Sequence, residues 1–200
     1  MLEKGTSIRI EVADPTPLGL TGLAMVTLVA ASQKLGWTDG LSLLIPCAFF
    51  LGGMAQVMAA IYDFKHNNLF GSTAFSLYGL FWISMAATWL IKTGAFGPVL
   101  AAGFDVRQLG MVFLGYLIIS VFLTIAALKT NKVLIAIMVL IDVLFIGLMM
   151  SSFGMGEIWH EIAAWTELVI SLLGFYAAGA NLLNKTYGRI ILPLGSGIWS

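Results

Sequence analysis

Apolar positions in this chain do not alternate with polar ones; they fall in long runs divided by short polar interruptions. Six runs stand out: Pro17–Leu35, Leu41–Tyr62, Thr73–Ile91, Leu109–Leu128, Val133–Phe153 and Ile162–Leu183. About 20 apolar residues wound as a helix cross roughly 30 Å of hydrocarbon, where the backbone must satisfy its own hydrogen bonds. A transmembrane barrel would need short segments of strict alternation, and Val133–Ile141 has none. The pattern predicts an all-α integral membrane protein: a six-transmembrane-helix bundle forming one domain over residues 1–200, with 1–16 and 184–200 as tails.

Composition sharpens this. Sixty per cent of the residues are hydrophobic and 10% charged, against about 45–50% apolar and about 25% charged in a soluble domain. Ten Lys+Arg balance ten Asp+Glu, so no basic field exists for nucleic acid. The first run is not expected to be a cleaved signal. A mixed-charge segment (Glu3, Lys4, Arg9, Glu11, Asp14) precedes it, and no small-residue cleavage site follows before Trp37. Lys4, Arg9, Lys65, Lys129, Lys132, Lys185 and Arg189 fall on the side of the termini; Lys34, Lys92 and Arg107 fall on the other. The positive-inside rule then puts both termini in the cytoplasm of a multi-pass cell-membrane protein. Trp37, Trp89, Trp159 and Trp165 gather at the opposite ends, as an interfacial aromatic belt would.

Small residues four apart mark two packing seams, Ala55/Ala59 after Gly52-Gly53 and Gly174/Ala178 before Gly179. Enzyme signatures are absent. His160-Glu161 lacks the second histidine of a zinc-protease helix, and no glycine-rich loop carries a following lysine. His66 and His160 fall on opposite sides and cannot share a metal, and Cys47, the single cysteine, lies in an apolar stretch where packing is its expected role. No catalytic residue, metal or cofactor is expected.

The most informative segment is Asp14-Pro15-Thr16-Pro17-Leu18-Gly19-Leu20, where the first helix begins. Asp14 can cap the helix and proline suits its first turn. The same helix end offers free N–H groups and a positive dipole to a small carboxylate. Spacing leaves both readings open.

Residues Asp14 to Leu23 resemble the signature of the acetate uptake transporter family, the succinate–acetate permeases, which runs Asn-Pro-Ala/Val-Pro-Leu/Phe-Gly-Leu-x-Gly/Ser/Ala-Phe. The likeness continues through Gly52-Gly53-Met-Ala-Gln56, Asn68-Leu-Phe70-Gly71-Ser-Thr73-Ala74-Phe75 and Tyr78-Gly79-Leu-Phe81-Trp82, and ends at Tyr187-Gly188-Arg189-Ile-Ile-Leu192-Pro193-Leu-Gly195. It implies a six-helix protomer assembled as a homohexamer in the lipid bilayer, with a path through each protomer for acetate, succinate or related short carboxylates. It implies a narrow apolar waist at Leu23, Tyr78 and Ile141, and a position linked to substrate choice at Gly174. Pro15, Pro17, Leu18, Gly19, Gln56 and Thr73 fall within the matching motifs as substrate-binding candidates. Channel and proton-coupled carrier both remain open.

Three departures stand out: Asp14 replaces the signature asparagine, Thr16 a small apolar residue and Leu23 the phenylalanine. An aspartate at a helix end that should admit an anion opposes the dipole argument, unless it is turned aside or protonated. No Lys or Arg lies well inside a run, so no fixed cation is expected to trap the substrate; binding must be weak enough to release it. Neutral donors such as Gln56, Thr73, Ser76, Tyr78, Ser84 and Thr88 are available in its place. Asp142 and Glu167 sit at similar depth within their runs. Carboxylates there are costly, so each is either a proton carrier or a hydrogen-bonding group at a helix contact. The main competitor to carboxylate transport is a neutral-solute pore for water or ammonia; short termini disfavour a membrane sensor.

Overall fold

The computed structural model describes residues 12–199; Glu3, Lys4, Arg9 and Glu11 lie outside the described residues. The chain winds into α1 (Thr16–Lys34), α2 (Leu44–Lys65), α3 (Leu69–Lys92), a short α4 (Pro98–Ala102), α5 (Val106–Ala127), α6 (Lys132–Ser152) and α7 (Glu157–Tyr187). All but α4 are long and apolar enough to span a membrane, and no strand occurs among the described residues.

Polar residues extend the helices beyond their apolar runs. α3 starts four residues ahead of its run because Asn68 caps it, its side-chain oxygen accepting from the Gly71 N–H at 3.1 Å. Asp105 and Asn131 cap α5 and α6 in the same way, each at 2.9 Å. α7 begins after Gly156 (φ +110°) and stops at Gly188 (φ +62°), so it carries polar turns at both ends that hydropathy alone does not count.

The first part of α2 is not regular. Cys47–Ala55 forms a π-helical stretch, whose wider turn re-aims the residues that follow. Around it, backbones come close. A Cβ on Gly22 would collide with the Leu51 carbonyl, and one on Gly79 would stand 3.0 Å from both the Gly53 carbonyl oxygen and the Val57 nitrogen. The small-residue seam of α2 thus faces α1 and α3 inside the protomer. That of α7 faces α1, where a Cβ on Gly174 would sit 3.1 Å from the Ala24 Cβ, while Gly179 has nothing within 4 Å. Ser171 adds a hydrogen bond between these helices, donating to the Ala24 carbonyl at 2.8 Å.

α1 stands against α2 and α7, α2 against α3, and α5 and α6 close the ring to α7. One end of the bundle, the terminal face, gathers the segment before α1, the α2–α3 and α5–α6 turns and the C-terminal residues. There His66 meets the Val12 carbonyl at 2.9 Å, and the Ile198 N–H donates to the Leu128 carbonyl at 2.9 Å. The other end holds Trp37 and Trp165 edge to face at 6.3 Å.

Candidate functional site

Cavities lie one after another along the bundle. At the terminal face a vestibule of about 600 Å³ is walled by Asp14, His66, Asn131, Asn181 and Lys185, among others. Asp63, Asn68, Phe70 and Leu134 belong to its wall and also to that of the next cavity, an apolar chamber of about 70 Å³. Leu23, Tyr78 and Ile141 close the far end of that chamber and line a third space of only about 20 Å³, room for roughly one water. Phe81 and Trp82 are shared between this space and a fourth cavity, about 400 Å³, at the opposite face.

Leu23 comes from α1, Tyr78 from α3 and Ile141 from α6; all are buried, at 6%, 5% and 4% exposure. Two sets of contacts surround them. The Tyr78 hydroxyl is hydrogen-bonded to Ser120 of α5 at 2.9 Å. Phe81 packs among Trp82, Tyr116 and Phe145 with ring centroids 5.0–5.4 Å apart, edge-on contacts that aromatic quadrupoles favour. Gln56, fully buried, lines the 70 Å³ chamber.

The remaining residues singled out in the sequence lie elsewhere. Pro15 is buried, Pro17 and Thr73 half-buried, and Leu18 faces outward at 44% exposure. Gly19 seats the Phe75 ring, which itself lines the chamber, and Gly174 seats Ala24. None of these six lines the four cavities. Ser84 and Thr88 turn their hydroxyls back onto the Leu80 and Ser84 carbonyls of their own helix.

Asp14 is turned aside. Its Oδ1 accepts from the Thr16 N–H at 2.9 Å and the Thr16 hydroxyl at 2.7 Å, and its Oδ2 pairs with Lys185 of α7. Burial works against its charged form, but the hydrogen bonds from Lys185 and Thr16 outweigh it and hold the carboxyl below the ordinary aspartate range. The dipole conflict raised by the sequence is resolved: this carboxylate is neutralised in place.

The two carboxyls of the spans have different partners. Glu167 pairs with Lys34 at 2.7 Å, and both line the 400 Å³ cavity. Lys34 is the last residue of α1, and its stem reaches in to a glutamate that is 1% exposed. Asp142 accepts from Thr124 of α5 at 2.7 Å and lines none of the four cavities.

Sequence reasoning passed over Asp63, one residue beyond the expected end of the second run. It is 1% exposed, takes the Asn68 amide at 3.0 Å on Oδ1, and lines both vestibule and chamber. A signal was present: it stands seven residues, two helical turns, after Gln56, hence on the same face.

Cavities in file along a bundle of six apolar helices fit the class of membrane transport proteins. The chain matches the GPR1/FUN34/yaaH family over residues 4–195 and belongs to it. It is 31% identical to the succinate-acetate/proton symporter SatP of Escherichia coli, over 92% of this chain and 96% of that protein. It is 28% identical to the ammonia transport outward protein 2 of Saccharomyces cerevisiae and 25% to acetate permease A of Emericella nidulans, over 90% and 94% of this chain and 65% and 67% of theirs. The solved structure of the bacterial acetate channel SatP superposes with a TM-score of 0.86 at 28% identity, covering 92% of this chain and all of that one.

Proposed function

We propose that this protein carries acetate and related short carboxylates, succinate among them, through its own six-helix bundle. The observation that supports this most is the file of cavities narrowing at Leu23, Tyr78 and Ile141, with wider and more polar spaces toward each face. A small acid enters a vestibule whose neutral amides replace part of its hydration. It then passes the apolar waist, where size is tested, and leaves through the aromatic cavity beyond. Both termini face the cytoplasm, by the excess of Lys and Arg on the terminal face. Six protomers assemble side by side, each with its own path, their outward apolar faces shared between neighbours and lipid.

The test is uptake of labelled acetate by liposomes holding the purified protein, set against protein-free vesicles. Saturable flux competed by other short acids supports the reading; water or ammonia flux that acetate does not compete favours a neutral-solute pore. Tyr78→Ala should raise the succinate-to-acetate flux ratio by about tenfold, the scale of one lost shape contact. An unchanged ratio would remove Tyr78 from the waist. Native mass measurement of the purified protein checks the hexamer, and labelling of Ser196→Cys in a Cys47→Ser background checks the orientation.

A further inference from the structure

The Tyr187–Gly195 motif singled out in the sequence lines none of the four cavities, yet it is firmly held. Gly188, in the left-handed region at φ +62°, ends α7 and turns the chain back across the terminal face. One side chain clasps the returning segment. Asn184 of α7 accepts the Ile191 and Leu192 N–H groups on Oδ1 at 2.6 and 3.0 Å, and donates from Nδ2 to the Leu192 carbonyl at 2.8 Å. Tyr176 of the same helix donates to the Pro193 carbonyl at 2.8 Å. The far end of the segment is fixed to the α5–α6 turn. The Val133 N–H donates to the Leu194 carbonyl at 3.3 Å, and the Ile198 and Trp199 N–H groups donate to the Leu128 carbonyl at 2.9 and 3.1 Å. A Cβ on Gly197 would stand 2.9 Å from that same carbonyl oxygen. Residues 189–199 are thus a strap from α7 to the turn, where the sequence suggests a tail.

The strap joins two walls of the vestibule. Ala177, Asn181 and Lys185 line it from α7, and Thr130, Asn131 and Leu134 line it from the turn and the start of α6. Most polar donors there are committed within the protein. Asn68 gives its amide to Asp63, Asn181 gives its own to the Ala177 carbonyl, Thr130 gives its hydroxyl to the Ala127 carbonyl, and the Lys185 ammonium pairs with Asp14. Asn131 differs. Its Oδ1 accepts the Leu134 N–H as the α6 cap, which fixes the amide and leaves its N–H groups without a protein acceptor among the described residues. The strap's bonds flank this residue, on the Leu128 carbonyl before it and the Val133 N–H after it.

Resting on the short-carboxylate reading above, we propose that Asn131 is the neutral donor that receives the substrate carboxylate in the vestibule, and that Asn184 is its positioning residue, acting through the strap. An amide N–H replaces one hydration bond of the carboxylate without a fixed charge to hold it, so the substrate is received and still released. The waist lies beyond the 70 Å³ chamber and touches neither residue.

The experiment measures saturable uptake of labelled acetate by liposomes holding the full chain, comparing wild type, Asn184→Ala, Asn131→Ser and the double variant. Asn131→Ser keeps an oxygen to cap α6 and removes the amide N–H groups. Each single variant should raise the half-saturating acetate concentration by about fivefold, the scale of one net hydrogen bond. That rise should exceed any change in maximal flux, and the succinate-to-acetate ratio should stay as in the wild type. The double variant should be no worse than Asn131→Ser alone, because Asn184 acts through Asn131. Effects that multiply in the double variant, or a fall in maximal flux at unchanged half-saturation, overturn the inference and leave the carboxylate reading standing. An unchanged half-saturation in Asn131→Ser does the same. Absence of saturable acetate flux over protein-free vesicles overturns both. Should Asn184→Ala fail to assemble, Gly197→Val, which lifts the strap from the Leu128 carbonyl at its other end, takes its place with the same expected and overturning results.

Discussion

Asp14 illustrates how one residue can reverse its apparent meaning. As a letter in the sequence it is a negative charge at the mouth of an anion path; in place it is half of an ion pair with Lys185, closed by Thr16. Asp14→Asn, which restores the family's signature residue, would keep an acceptor for Thr16 and release the Lys185 ammonium into the vestibule. Apparent affinity for acetate should improve by up to about fivefold, the equivalent of ~1 kcal/mol for an exposed charge. The pH dependence has a definite sign. The Asp14 carboxyl is lowered relative to the unfolded chain, so its stabilisation is complete above the ordinary aspartate range and is lost as pH falls through the lowered value. Melting curves of wild type and Asp14→Asn should differ at neutral pH and converge in strong acid. A difference that persists there would mean the ion pair is not its source. Glu167 and Lys34 repeat the motif at the other end, where a nearly buried carboxylate is tolerable because a cation reaches it.

Among the helices, α2 has the most exacting position. It must sit against α1 and α3 closely enough for its own residues, Gln56 and Asp63, to reach the interior, and its π-helical start and the glycines around it permit that approach. Lipid supplies little hydrophobic drive between helices, so backbone proximity and packing carry the association. Gly22→Val should therefore be more damaging than its apolar character suggests. Its Cβ would meet the Leu51 carbonyl, a backbone atom that cannot rotate away, and the cost should be roughly 1–3 kcal/mol with α1 displaced from α2. Thermal unfolding in detergent reads this directly. Gly179→Ala, where nothing lies within 4 Å, is the control and should leave the melting temperature of the protomer unchanged.

At the scale of the whole molecule the four cavities form a graded sequence, polar and wide at the terminal face, apolar within, and about 20 Å³ beside Leu23, Tyr78 and Ile141. Such grading suits a substrate that must shed water and then leave without being held. Leu23 is where this chain departs from the family signature, and the space beside it is the consequence open to test. Leu23→Phe should fill the narrow space and lower succinate flux relative to acetate by about tenfold, a discrimination within reach of one side chain's volume. Equal loss for both acids would indicate a general block and not a finer sieve.

The sequence by itself determined the class and the architecture. Long unbroken apolar runs can be satisfied in lipid only as helices, so the number of spans and their order followed from composition and spacing. Residues such as Leu23, Tyr78 and Ile141 were marked through family likeness alone; nothing in their local spacing sets them apart. Helix ends escaped because hydropathy does not register caps such as Asn68 or polar turns such as Glu157–Glu161. Tertiary structure alone decided which polar groups meet. Lys34 with Glu167, Lys185 with Asp14 and Thr124 with Asp142 are pairings between distant segments, and partner choice is not a property of either residue's neighbourhood in the chain. The same holds for two buried oxygens without a hydrogen-bond partner, Gln56 Oε1 and Asp63 Oδ2: whether a buried acceptor is filled or vacant depends on what the other helices bring to it, and that exists only once the bundle is closed.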